Sequence, residues 1–235
     1  MHGFSSGILH YIIENQLKPG DRLPTISELS QQMGVSVGKV REELEVARTL
    51  GILQVKPRIG MVVLDFDFGP AATLMVLYAL GQDRASFHQF ALLRKSVELS
   101  FWHEAVSLLT PSDIDELRQL IICARDKLNR APVVVPVEEH RRLHLAFFKH
   151  LQNPFVLGLL EAYWAAYKAH GLALYAELSY HREVWDYHER MVECVARKDF
   201  EAGRRALKEH MELLRHMPQQ APSDAAPPSI RHMFE

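Results

Sequence analysis

Apolar residues recur at intervals of three and four along most of this chain. Ile8, Tyr11 and Ile12 share a helical face, after which Lys18-Pro19-Gly20-Asp21 supplies a turn. Thr25 with Glu28 three residues on is a capping box, opening a short helix through Leu29 to Met33 that Gly34 ends. Ser36 caps the next helix, where Val40, Leu44, Ala47 and Leu50 repeat at helical spacing before Gly51 stops it. Two short helices joined by Gly34-Val35-Ser36 predict a helix-turn-helix. Residues 52–56 and 61–64 then read as strands joined by Pro57-Arg58-Ile59-Gly60, so three helices and a hairpin spell a winged helix-turn-helix.

Residues 66–70 read as a short linker, and beyond them the pattern is helical throughout. An apolar segment over 72–80 meets a polar break at 81–84, and helical spacing resumes over 87–109. Thr110-Pro111-Ser112-Asp113 caps a helix over 114–128, and residues 129–136 form a loop. Helices follow over 138–148, from Asn153-Pro154 to about Tyr175, over 181–197 and over 200–217. The fold class is mainly α. A winged helix-turn-helix occupies 1–66, a linker and leading helix 67–84, and an all-helical bundle 85–217. A proline-bearing tail over 218–235 is expected to be disordered.

Composition narrows the partners. The 235 residues are 48% hydrophobic and 24% charged, enough for one large domain or two ordinary ones. The formal net charge is −2, so DNA binding must rest on local charge placement. Residues 1–66 hold seven Lys/Arg against seven Asp/Glu, which implies modest non-specific affinity for DNA. Cys123 and Cys194 form no CxxC and read as small core residues of a reduced protein. Residues 1–7 lack a basic-then-apolar signal, and the uncharged run over 68–82 is too short to span a bilayer. The expectation is a cytoplasmic protein with no membrane contact.

Thirteen histidines stand out, and His140 and His144 sit one turn apart beside the apolar stripe of their helix. Two imidazoles at that spacing grip one metal ion when other elements supply further ligands. Tyr163, Trp164 and Tyr167 form an aromatic stripe that reads as core or pocket wall.

Most of residues 8–63 resemble the GntR family of bacterial transcription regulators. Leu17-Lys18-Pro19-Gly20-Asp21-Arg22-Leu23-Pro24, Glu28-Leu29-Ser30, Gly34-Val35-Ser36 and Val40-Arg41-Glu42-Glu43-Leu44 match its motifs in order, and its wing glycine falls at Gly60. The resemblance implies that the N-terminal part of the second helix of the motif enters the major groove of double-stranded DNA, presenting Ser36, Gly38, Lys39 and Arg41. Arg41 offers a bidentate fork to guanine, and Lys39 reads guanine or pairs with phosphate. Arg58 on the wing enters the minor groove or meets the backbone. Relatives commonly carry arginine where this chain has Ser27 and Val37, and Thr-Pro or Thr-Thr at Gly38-Lys39, so the usual family operator does not carry over.

The helical region is similar to the FCD effector domain of the FadR-like branch of that family. Arg94 with Glu98 matches its first signature, and His140-Arg141-Arg142-Leu143-His144 with Asn153 matches its second. His188 and His210 fall at the third and fourth, with Asp199 and Ala202 in the expected connection. The resemblance implies His144, His188 and His210 as ligands of a divalent metal, with His140 where relatives place an aspartate. Nitrogen in place of carboxylate oxygen favours zinc, nickel or copper over magnesium or manganese, with zinc or nickel foremost. Arg94 either meets an anionic effector or pairs with Glu98, four residues on. His10, His88, His103, His150, His170, His181 and His216 have no family counterpart and are expected at the surface or in local hydrogen bonds.

What the resemblance implies is a homodimeric, ligand-responsive transcription regulator and not an enzyme. It binds a palindromic operator and takes a small organic acid, held through the metal. Two rivals are a metal-free regulator taking a larger, acyl-type effector and a metal-dependent hydrolase with Glu139 beside its histidines.

Overall fold

The computed structural model describes residues 7–171 and 177–213. By packing, the chain divides into two compact units, Met1–Ala91 with Leu151–Ala169, and Leu92–His150 with His170–Glu235. Among the described residues it holds ten α-helices and one two-stranded antiparallel sheet, and no helix is long and apolar enough to cross a membrane.

The first unit begins with α1 (Gly7–Glu14), α2 (Ile26–Met33) and α3 (Val37–Thr49), followed by β1 (Leu53–Lys56) and β2 (Gly60–Val63). Both sides of the Thr25–Glu28 capping box form, and Gly34 closes α2 in the left-handed region at φ 66°. Ser36 caps α3, its hydroxyl accepting from Lys39 N at 3.2 Å. The helical stripes converge as expected: Ile8, Ile12, Leu29, Val40, Leu44 and Ala47 bury together with Leu53 and Val63 of the hairpin. The turn at 18–21 docks on the free edge of β2, where Leu23 N donates to Met61 O and Val63 N to Asp21 O, each at 2.9 Å. One buried carboxylate belongs to this core. Glu43 of α3 accepts from Ile8 N at 2.6 Å, satisfying a donor in the first turn of α1.

The hairpin register pairs Leu53 with Val63 and Lys56 with Gly60. Ile59 N donates to Lys56 O at 3.1 Å, and Arg58 sits at the third position of that turn with φ 62°. A non-glycine residue there costs about 1–2 kcal/mol, because its Cβ crowds the carbonyl oxygen.

The first unit also takes α4 (Gly69–Gln82), the opening of α5 (Ser86–Ser107) and all but the last residue of α8 (Pro154–His170). The stretch at 66–70 is not linker to its end, since Gly69 and Pro70 already form the first turn of α4 and Asp67 Oδ1 accepts from Gly69 N at 2.8 Å. Gly158 of α8 lies directly on that turn, where an added Cβ would stand 2.5 Å from Gly69 N. Phe155 meets Phe66 and Phe68 beside it, with ring centroids 5.1 and 5.6 Å away. The aromatic stripe of α8 is core, as expected: Tyr163, Trp164 and Tyr167 are buried, and Phe87 lies 5.7 Å from Tyr163. Helix α8 ends at His170 and Gly171 follows at φ 75°, so it stops before the expected Tyr175, which lies outside the described residues.

The second unit holds the rest of α5, then α6 (Pro111–Asn129), α7 (Val137–Phe148), α9 (Leu178–Ala196) and α10 (Phe200–Leu213). Helix α9 packs on α6 and α10, and α6 packs on α7. Thr110 and Asp113 form a complete capping box, and the Asp113 carboxylate also accepts from Lys149 at 2.6 Å. Trp102 is fully buried, its ring tilted against Phe147 with centroids 5.0 Å apart, and its indole N–H donates to Phe200 O at 2.8 Å. Residues 214–217 of the last expected helix, and the expected disordered tail at 218–235, lie outside the described residues.

Candidate functional site

Four imidazoles meet inside the second unit. Helix α7 supplies His140 and His144 from successive turns, α9 supplies His188 and α10 supplies His210. His144, His188 and His210 are at most 2% exposed, and His140 is half-buried against them. The His140 ring centroid lies 4.7 Å from that of His188, 5.1 Å from His144 and 5.6 Å from His210. All four residues offer one ligand atom each within 4.8 Å of the others.

The donor set fits a divalent metal. His144 Nε2 stands 3.2 Å from His188 Nε2 and 3.3 Å from His210 Nε2. In a tetrahedral site with bonds of about 2.0–2.1 Å, ligand nitrogens stand roughly 3.3 Å apart. His188 Nδ1 and His210 Nδ1 are buried with no hydrogen-bond partner among the described residues. Burial, reinforced by the charge of Arg94 and, at His140, His188 and His210, by repulsion from neighbouring imidazoles, pushes all four well below the ordinary histidine range, with Glu98 opposing the shift at His210. They are therefore neutral at pH 7, which is the ligating form.

Behind this cluster lies a buried ion pair from α5. Arg94 Nε donates to Glu98 Oε1 at 2.5 Å, and both side chains are at most 2% exposed. Of the two sequence readings of Arg94, the pairing with Glu98 is present in the fold. The pair abuts the far side of the His144 ring, where Nδ1 lies 2.8 Å from Arg94 Nη2 and 3.1 Å from Glu98 Oε2. Burial raises the Glu98 carboxyl above its ordinary range, and Arg94 opposes that shift.

Sequence reasoning missed one neighbour. His181 is not at the surface: it is buried, on the same helix as His188. A signal for it was present on α9, where His181, Trp185 and His188 lie four and three residues apart on one face. Trp185 lies against the cluster, its ring 4.7 Å from His188 and 6.2 Å from His140. Three of the other histidines lie at the surface beside carboxylates: His10 with Glu14, His103 with Glu201 and His150 with Asp113, at 2.8, 3.3 and 2.9 Å. His216 lies outside the described residues.

The first unit presents the other set of candidates. Ser36, Gly38, Lys39 and Arg41 are exposed along the start of α3, and Arg58 and Gly60 are exposed on the hairpin turn. Lys39 Nζ stays within 3.7 Å of Glu42 and 3.8 Å of Glu43, so part of its charge is already countered on its own helix. A hollow of about 360 Å³ separates α3 from the wing, with Arg41 and Arg48 on the helix side and Val55 and Met61 on the hairpin side.

Comparison with known proteins decides what this pairing of units is. Residues 7–63 match the gntR family of bacterial regulatory proteins, and residues 89–213 match the FCD domain. The chain belongs to the GntR family and carries an FCD domain.

It is 30% identical over 233 residues to an HTH-type transcriptional regulator in an unstable DNA locus of Streptomyces ambofaciens, covering 94% of this chain and 89% of that one. It is 26% identical to the Uxu operon regulator of Haemophilus influenzae over 82% of this chain and 72% of the relative. The solved structure of a Streptococcus agalactiae GntR protein shares the fold, with a TM-score of 0.63 at 19% identity over 90% of this chain and 96% of that one. This GntR protein is thus a DNA-binding, ligand-responsive transcription regulator and not an enzyme. The hydrolase reading is set aside on the same ground, since the relatives are named as regulators.

Proposed function

We propose that this GntR protein is a cytoplasmic, homodimeric regulator that binds a palindromic operator and senses a small organic acid at a four-histidine divalent metal site. The observation that carries the metal is the meeting of His140, His144, His188 and His210, all neutral, with nitrogen spacings close to a tetrahedral edge. An all-nitrogen set favours zinc or nickel. Bound there, the metal supplies a positive docking point for a carboxylate, while the charge of Arg94 behind His144 is already countered by Glu98. The proposed domain limits are those of the sequence pattern, 1–66 for DNA and 85–217 for effector and dimerisation.

DNA is read by Ser36, Gly38, Lys39 and Arg41 at the start of α3, with Arg58 and Gly60 forming the wing tip. Their shared exposure on one compact unit supports that reading. Regulation requires that the acid bind the two arrangements of the paired DNA heads with different affinity. Elemental analysis of the protein purified from metal-replete cells tests the centre, with about one zinc or nickel per chain expected, removable by chelation. A metal-free protein that still responds to an apolar acyl ligand would replace this reading with its rival. Binding selection on random duplexes tests the DNA half, with a two-fold symmetric site as the expected product.

A further inference from the structure

Glu98 and Arg94 face the same nitrogen of His144, and a neutral imidazole satisfies only one of them at a time. Glu98 Oε2, 3.1 Å from Nδ1, accepts only if Nδ1 carries the proton. Arg94 Nη2, 2.8 Å from Nδ1, donates only if Nδ1 is bare. The choice is carried across the ring. With Nδ1 bare, the proton sits on Nε2 and points at His188 Nε2 and His210 Nε2, 3.2 and 3.3 Å away, either of which accepts it. With Nδ1 protonated, Nε2 presents a lone pair to that same space.

We propose that the Arg94–Glu98 pair is a two-position tautomer selector for His144. Arg94 holds the metal-free form, with Nε2–H donating to His188 or His210, and Glu98 holds the metal-bound form by accepting from Nδ1–H. This rests on the metal reading above. In the interchange Nε2 gives its proton to solvent as the metal takes that nitrogen, and Nδ1 takes up one proton from solvent, so the charge of the ring is unchanged. Neither partner has to leave the other, because Arg94 Nε and Glu98 Oε1 are joined at 2.5 Å through atoms other than the Nη2 and Oε2 that face Nδ1. Burial of both side chains keeps water from substituting for either. Glu98 Oε1 is taken up by Arg94 Nε, which leaves Oε2 as the oxygen that faces Nδ1.

The device answers two needs at once. Without metal, it lets inward-facing nitrogens share a proton instead of opposing lone pairs. With metal, it gives one ligand a carboxylate partner, which fixes the ring and raises its basicity. Glu98 thereby brings a negative charge to a centre where His140 stands in place of a carboxylate. Arg94 and Glu98 are positioning residues, since both act through His144.

Full-length protein labelled with ¹⁵N-histidine provides the test, because bare and protonated ring nitrogens have distinct shifts. Spectra are compared metal-free and after one equivalent of zinc. The expected result is His144 protonated at Nε2 without metal and at Nδ1 with it. Zinc uptake with an unchanged His144 tautomer would overturn the selector and leave the metal reading standing. No zinc uptake at all would remove both. In a second arm, Glu98→Gln is expected to lower zinc affinity 10–100-fold while the metal-free circular dichroism stays native. Wild-type zinc affinity in that variant would also overturn the proposal. If the variant does not fold, the wild-type spectra decide alone.

Discussion

His140 is the residue on which the chemistry of the centre turns. Its ring lies within 5.6 Å of each of the other three, so it is inside the cluster and not at its rim. On the proposed reading, His140→Asp swaps soft nitrogen for hard oxygen and raises affinity for manganese relative to zinc. A competition titration with a chromophoric chelator checks the direction. The metal-free protein should also be acid-sensitive in a defined window. Each buried imidazole binds its proton less readily folded than unfolded, so the unfolded chain takes up more protons as pH falls below about 6.5. The stabilisation is complete above that value and is lost below it, so melting temperature in chelator should fall steadily from pH 7 towards pH 5. A flat profile would mean that the histidines are not buried neutral. At this scale, His140 and His144 were legible from spacing, whereas His188 and His210 needed the family resemblance. His181 was not identified, because its spacing from Trp185 and His188 marks a shared face of α9 but not what packs against that face.

At the scale of elements, local signals did well wherever a cap or turn residue fixed the chain. Thr25, Ser36 and Thr110 open their helices as read, and Gly34 closes α2. The start of α4 was misplaced because Gly69-Pro70 resembles a loop, although proline suits a first turn. The wing carries an unfavourable backbone at Arg58, and charge gives a reason to tolerate it. Arg58→Gly should raise stability by about 1 kcal/mol by relieving the left-handed conformation, yet weaken operator binding. Urea midpoints and gel shifts on the same variant separate the two effects, and unchanged DNA affinity would remove Arg58 from the interface. Gly158→Ala should do the reverse of a helix-favouring change. Its methyl meets the backbone of Gly69, so a loss of about 1–3 kcal/mol in thermal or urea unfolding is expected despite the better helix former.

Across the whole molecule, composition and periodicity conveyed a winged helix followed by helices, but not which helices pack together. The contact of Gly158 with Phe68 and Gly69 joins positions about ninety residues apart through a residue with no side chain. No hydrophobic pattern marks it, so the grouping of α8 with the first unit was invisible from sequence. The operator prediction belongs to this scale. On the proposed dimeric reading the half-sites lie about one helical turn of DNA apart, or a multiple of it, so inserting about five base pairs between them should abolish tight binding. Retained affinity would point to a single half-site and a monomeric reader.

The four histidines come from three helices, and the chain runs through α8 and α9 between the first ligands and the last. A metal gripped by all of them ties remote segments together, and the unfolded chain offers no such grip. Folding is then linked to ion supply: free zinc at about a hundred times the dissociation constant adds roughly 2.7 kcal/mol. Starvation for the ion would expose the regulator to proteolysis as well as silence it. Its abundance, and not only its occupancy on DNA, would follow the cell's zinc or nickel status.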